Sequence, residues 1–164
     1  MKLAFNGGDT VKIERKSKAS FSVIGKEGSS ESGAGFVQAL WEQANAGFGE
    51  VAPLAKRDEN GNLEGIWGAM SDVSRSYLPW EEGFTKGLYL AGVECPADAQ
   101  PPQGWVKWTI PSYTYLVVKC EKENPFAKMI LYLSENSIPL VGAVHDFTDP
   151  STGENFMYFP IEKL

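Results

Sequence analysis

The sequence predicts an α+β fold of two pseudo-symmetric βαββ halves, forming an antiparallel sheet with two helices and a central ligand cleft. The prediction rests on a repeat. Val11–Lys16 followed by Phe21–Glu27 resembles Val106–Pro111 followed by Tyr115–Glu121. An apolar stripe at helical spacing comes next each time: Phe36, Val37, Leu40, Trp41 and Ala44 in the first half, and Phe126, Met129, Ile130 and Leu133 in the second. A turn rich in Asx, Pro and Gly then divides two apolar runs, at Asp58–Asn62 and again at Asp149–Gly153. These landmarks recur at offsets of 90 to 95 residues.

Taken in order, the halves span about residues 10–95 and 105–164 of a single domain, 1–164. In the first half, Val51–Lys56 and Leu63–Met70 read as a hairpin, and Gly83–Glu94 as an extra strand region. Gly28–Gly35 reads as a flexible loop carrying a helix N-cap, without the lysine of a phosphate cradle. The prolines of Pro96–Gly104 forbid a helix and make that stretch the connection between halves. Where two like halves meet, the seam is a natural place for a cleft.

Composition narrows the functional classes. The chain has 164 residues, 43% hydrophobic and 22% charged, so it can bury a sizeable core. Net charge is −6, and each half carries −3, so there is no basic pole for a phosphate backbone. Lys12, Arg15, Lys16 and Lys18 read as one solvated strand edge, free to pair weakly between chains. A monomer or weak dimer follows, with no direct nucleic-acid partner. No apolar run reaches the roughly 18 residues of a membrane span, and no secretory signal is visible at the N-terminus. Two cysteines, Cys95 and Cys120, make no disulfide framework, and reduced thiols in the cytoplasm are the simplest reading.

The candidate site residues are mostly aromatic. The chain holds 5 Trp, 6 Tyr and 9 Phe but only one histidine, which removes any multi-histidine metal site; no metal and no cofactor are expected. Trp67 lies between Gly65 and Gly68, where small neighbours leave the ring face open to a ligand, unless it is simply core. Glu94 closes the apolar run Leu88–Val93 and sits either at a solvated rim or in an aromatic cavity. An acid among rings makes a receptor for a lipophilic cation, each ring adding roughly 0.5–2 kcal/mol. His145 and Phe147 share one face of a strand and Asp146 takes the other. His145 is a strand histidine, a pocket wall or a general base. The full candidate set is Trp67, Met70, Trp80, Tyr89, Glu94, Trp105, His145, Phe147 and Tyr158.

On Gly65-Ile66-Trp67-Gly68, Tyr89-Leu90-Ala91-Gly92-Val93-Glu94, Ile110-Pro111 and Tyr158-Phe159-Pro160-Ile161, the chain resembles the GyrI-like effector-binding domain of AraC-type and multidrug-sensing MerR-type regulators. The resemblance implies two βαββ halves around a pocket for small cationic aromatic molecules. It places Trp67 and Tyr89 on the pocket wall, with Glu94 beside it. Relatives carry a Glu-x-aromatic pattern where this chain has His145-Asp146-Phe147, so the usual pocket acid is replaced. No helix-turn-helix fits before Phe36, which suggests a stand-alone sensor or sequestering module. The alternatives are a hydrolase of cyclopropane-bearing alkylating compounds, with Glu94 and His145 as acid and base, or a gyrase-inhibitor-like module with a protein partner.

Overall fold

The structure is a computed structural model that describes residues 2–4 and 10–164. Strands β1 (Lys2–Ala4), β2 (Thr10–Lys18) and β3 (Phe21–Ser29) precede helix α1 (Phe36–Ala46). Then come β4 (Ile66–Ser71), the single turn α2 (Glu81–Phe84) and β5 (Leu88–Cys95). The second half runs β6 (Val106–Ile110), β7 (Tyr113–Lys119), α3 (Phe126–Glu135), β8 (His145–Thr148) and β9 (Asn155–Lys163). All pairings are antiparallel, in the order β1-β2-β7-β9-β8-β4-β5-β3-β6.

That order contains the repeat. Exchanging β2 with β6, β3 with β7, β4 with β8 and β5 with β9 reverses the eight strands after β1. The pseudo-twofold axis therefore passes between β4 and β8, which pair through Ile66–Thr148, Trp67–Phe147 and Gly68–Asp146. The first strand of each half is handed to the other half: β2 pairs with β7, and β6 with β3.

Alternation along the strands sorts side chains onto two faces. One face gathers Phe21, Trp67, Trp108, Tyr115, Val117 and Tyr158 into a cluster with no helix on it. Strands far apart in the order meet there, so the sheet curls around this aromatic interior. The other face carries the helices. Leu40 and Ala44 of α1 pack against Ile24, Ala91 and Val93, while Met129 and Leu133 of α3 pack against Leu116, Val118 and Phe159. The helical stripes expected from spacing do form these contacts.

Local details differ from the sequence reading. Val51–Lys56 is not a strand: Phe48–Glu50 and Ala52–Leu54 are short 3-10 turns, and Pro53 near the start of the second favours this. The Asp58–Asn62 turn closes only an isolated bridge between Arg57 and Leu63, and the hairpin partner of β4 is β5 instead. The Asp149–Gly153 turn does join two paired strands, β8 and β9. Ser29 caps a 3-10 turn at Ser30–Ser32, and α1 itself starts from Gly35 without a side-chain cap. β1 covers Thr10–Lys12, so the edge of β2 is open only beyond that point. Among the described residues no helix is long and apolar enough to cross a membrane.

Candidate functional site

A hollow lies at the seam, on the helical face. It has a volume of about 440 Å³, within the range of small-molecule sites. Met70 of β4, Asp146 of β8 and Met157 of β9 contribute from the sheet. Phe126 and Ala127 come from α3, and Pro79, Trp80 and Phe84 from the segment that joins β4 to β5. The edge of Phe84 meets Phe126 at 5.2 Å between centroids, and Trp80 stacks on Phe36 of α1 at 6.2 Å. Rings from both halves thus wall one cavity.

Asp146 is the acid in that cavity. By alternation it points away from His145 and Phe147, which puts it on the helical side. The Tyr89 hydroxyl donates to Asp146 Oδ2 at 3.3 Å, and the Trp41 indole N–H donates to the same hydroxyl at 3.0 Å. Gly68 makes this chain possible. A Cβ there would lie 1.9 Å from the Tyr89 hydroxyl, so only glycine lets the tyrosine cross β4 to reach β8. Burial pushes the Asp146 carboxyl up to about 6, against the smaller opposing effect of the Tyr89 bond. Burial, then the nearby Asp146 charge, pushes Tyr89 well above the usual phenol range, so it stays a donor. At neutral pH the cavity therefore holds a carboxylate poorly served by its own protein.

The segment joining β4 to β5 is strained. Arg75, Tyr77, Glu82 and Phe84 all have φ between 51° and 66°, the left-handed region that disfavours such side chains. Each costs of order 1–3 kcal/mol and persists only where neighbours enforce it. They do. Asp72 accepts from the amides of Ser76 at 2.8 Å and Leu78 at 3.3 Å, and Arg75 clamps Glu27 through bonds of 2.9 and 2.6 Å. The Trp80 indole donates to the Leu88 carbonyl at 2.9 Å, lying over Gly87, where a Cβ would fall 2.1 Å from the ring. The wall of the cavity is thus held in one shape.

The aromatic interior packs tightly around Trp67. Trp67 is 1% exposed, between Phe21 at 4.8 Å, Phe147 at 4.7 Å and Tyr158 at 5.0 Å. Its flanking glycines do not uncover it: a Cβ on Gly65 would lie 2.7 Å from its indole nitrogen, so the glycine makes room for the ring. Glu94, only 4% exposed, accepts from the Trp67 indole at 2.9 Å. Lys18 lies 3.4 Å and Lys56 3.8 Å from the same carboxylate, and the Lys18 ammonium also sits 4.5 Å from the Phe21 ring centre. An acid among rings is present here too, but the chain supplies its cations. His145 accepts from the Met70 amide at its Nδ1, 3.0 Å away, where β8 parts from β4. Full burial drives its pKa down to about 3, so it stays neutral and holds the seam together.

The nine residues singled out from the sequence therefore fall into three places. Trp67, Glu94, Phe147 and Tyr158 together line a hollow of about 300 Å³ with Lys18, and His145 is buried with its ring edge towards Trp67. Met70 and Trp80 line the seam cavity, and Tyr89 holds its acid. Trp105 lines a separate recess under α1. Sequence reasoning left out Asp146, Phe84 and Phe126. The 16-residue connection between β4 and β5 was the available signal for Phe84, since unstructured links that long are usually functional.

No protein-family model and no curated protein sequence matches the chain. Solved structures do. SAV2435 bound to tetraphenylphosphonium superposes with TM-score 0.63 at 16% identity, over 92% of this chain and 94% of that one. The C-terminal domain of EcmrR gives 0.60 at 11% identity, over 94% and 99%. Within a larger EcmrR–DNA assembly the TM-score is 0.63 at 12% identity, and this chain spans only 58% of the EcmrR chain. The chain has the fold of these proteins, the one that the GyrI-like resemblance implies.

Proposed function

We propose that this protein is a binding module for organic cations with aromatic or other apolar groups, which it takes into the seam cavity with Asp146 as counter-charge. One observation carries the reading: a carboxylate, raised in pKa by burial, in a hollow walled by Trp80, Phe84 and Phe126. A cation there gains the carboxylate and the ring faces together, and desolvation strengthens both. The structural neighbour that holds tetraphenylphosphonium supports the same class of ligand. The role is that of a sensor or sequestering protein, and two unpaired thiols suit a cytoplasmic setting.

Tetraphenylphosphonium, titrated against tryptophan fluorescence, tests this. Saturable binding is expected at pH 8, weakened about tenfold or more in Asp146→Asn. Because the free carboxyl titrates near 6, affinity for the cation should fall as pH drops below that value. Affinity that neither the substitution nor acid alters would overturn the proposal.

A further inference from the structure

The seam cavity has few polar side chains in its wall, and they play different parts. The Trp80 indole is spent on the Leu88 carbonyl, to which it donates. Asn124 stands just before α3, and its Oδ1 accepts from the Phe126 amide at 2.9 Å, which leaves its NH₂ as a donor. Asp146 is the remaining polar group and the one carboxylate of this wall. An incoming N–H therefore finds its side-chain oxygen acceptor at Asp146.

That acceptor is only half used. Among the described residues the Asp146 carboxylate has one hydrogen bond, from Tyr89 to Oδ2 at 3.3 Å, and Oδ1 has none. Nor is Oδ1 sealed off: among the described residues the fully buried side-chain polar atoms without a partner are the Trp105 indole nitrogen and the Tyr115 hydroxyl. Oδ1 is thus open to the cavity that Asp146 lines. An ammonium that keeps an N–H can meet it in a charge-assisted bond of about 2.7–2.9 Å. A quaternary ammonium or a phosphonium puts carbon between its charge and the oxygen. It keeps the ring contacts and a longer-range attraction, but it leaves the oxygen without a donor.

We propose that Asp146 Oδ1 makes the seam cavity selective for protonated amines, ammonium ions that keep at least one N–H, over permanently charged onium ions of the same shape. This inference rests on the reading of the cavity as a cation site and narrows its ligand class. The aromatic part of such an amine packs against Trp80, Phe84 and Phe126, while its nitrogen faces β8.

The test is calorimetric titration of the whole protein at pH 8 with 2-(1-naphthyl)ethylamine and its mono-, di- and trimethylated forms, each a single positive charge. Every methyl adds apolar surface, so charge and apolar contact alone would raise affinity through to the quaternary ion. The open oxygen predicts instead a fall of about tenfold at the last methyl, where the N–H is lost. In Asp146→Asn all four affinities should drop, and the fall at the last methyl should shrink to about threefold or less. Displacement of tetraphenylphosphonium by the amines places them at the seam and serves where Asp146→Asn does not fold. The proposal is overturned by affinity that holds or rises at the last methyl, by a fall that survives in Asp146→Asn, or by amines that bind without displacing tetraphenylphosphonium. A series without the fall that Asp146→Asn still weakens removes the selectivity and leaves the cation site standing. Four affinities that Asp146→Asn does not change remove both.

Discussion

His145 and Asp146 are neighbours in β8, yet they inhabit different proteins in the physical sense. One faces the aromatic interior, where Trp67 is closely packed and Glu94 has two lysines of its own. The other faces the helical side, where a hollow of about 440 Å³ remains and the acid has a single long bond from a tyrosine. Both faces combine rings with a carboxylate. Among the described residues, only the second carboxylate has no cation beside it, and the proposed function rests on that difference. Composition is shared by both; the difference lies in who supplies the positive charge.

The largest expected effect concerns the aromatic face. Trp67→Ala removes a fully buried indole and takes one of Glu94's donors, so a loss of about 3–5 kcal/mol in urea unfolding is expected. Trp80→Ala, on the wall of the hollow, should cost clearly less stability while weakening tetraphenylphosphonium binding more. Equal stability losses in the two variants would erase the distinction between the faces.

Acid separates the two neighbours in β8. His145 has a folded pKa of about 3 against about 6.5 unfolded, so the unfolded chain takes up its proton first as pH falls. Its neutral form therefore stabilises fully above pH 6.5, and that stabilisation is lost towards pH 3 at a slope approaching about 1.4 kcal/mol per pH unit. Asp146 acts in the opposite sense. Its folded pKa, about 6, exceeds the unfolded value, so its burial penalty above pH 6 is relieved as pH falls towards 3.8. His145→Gln should flatten the loss of stability in acid, and Asp146→Asn should steepen it between pH 6 and 4. Thermal melts across that window read both slopes.

Gly68→Ala tests how the hollow's acid is held. Its Cβ would meet the Tyr89 hydroxyl, so Tyr89 must move off Asp146, with a loss of about 1–3 kcal/mol and altered cation affinity. The smallest effect is expected from Lys18→Met. Lys56 still serves Glu94, so stability should drop by only about 1 kcal/mol, with tetraphenylphosphonium binding unchanged. A change in that binding would mean that the two faces communicate.

Much of the fold was legible because it depends on short-range pattern. Helical stripes at Phe36–Ala44 and Phe126–Leu133, the turn at Asp149–Gly153 and strand alternation at His145–Phe147 each follow from backbone geometry a few residues long. Val51–Lys56 was misread as a strand because an apolar run says nothing by itself about its hydrogen-bond partners, and β4 found its partner beyond a 16-residue strap. For the site, local pattern placed Glu94 with Trp67, Phe147 and Tyr158, which do line one hollow. Glu94 had the right neighbours in the sequence, but Lys18, 76 residues away, reaches it in space.

The chain alone determined that two like halves form, which residues alternate to opposite faces in β8, and that rings and acids are both available. Tertiary structure alone decided which acid stays without a cation. That outcome depends on how the sheet curls: closing one face brings Lys18 onto Glu94 and packs Trp67, while the strained strap on the other face holds Trp80 and Phe84 off the sheet. Burial and charge pairing are properties of surroundings assembled from distant segments, and no local pattern encodes them.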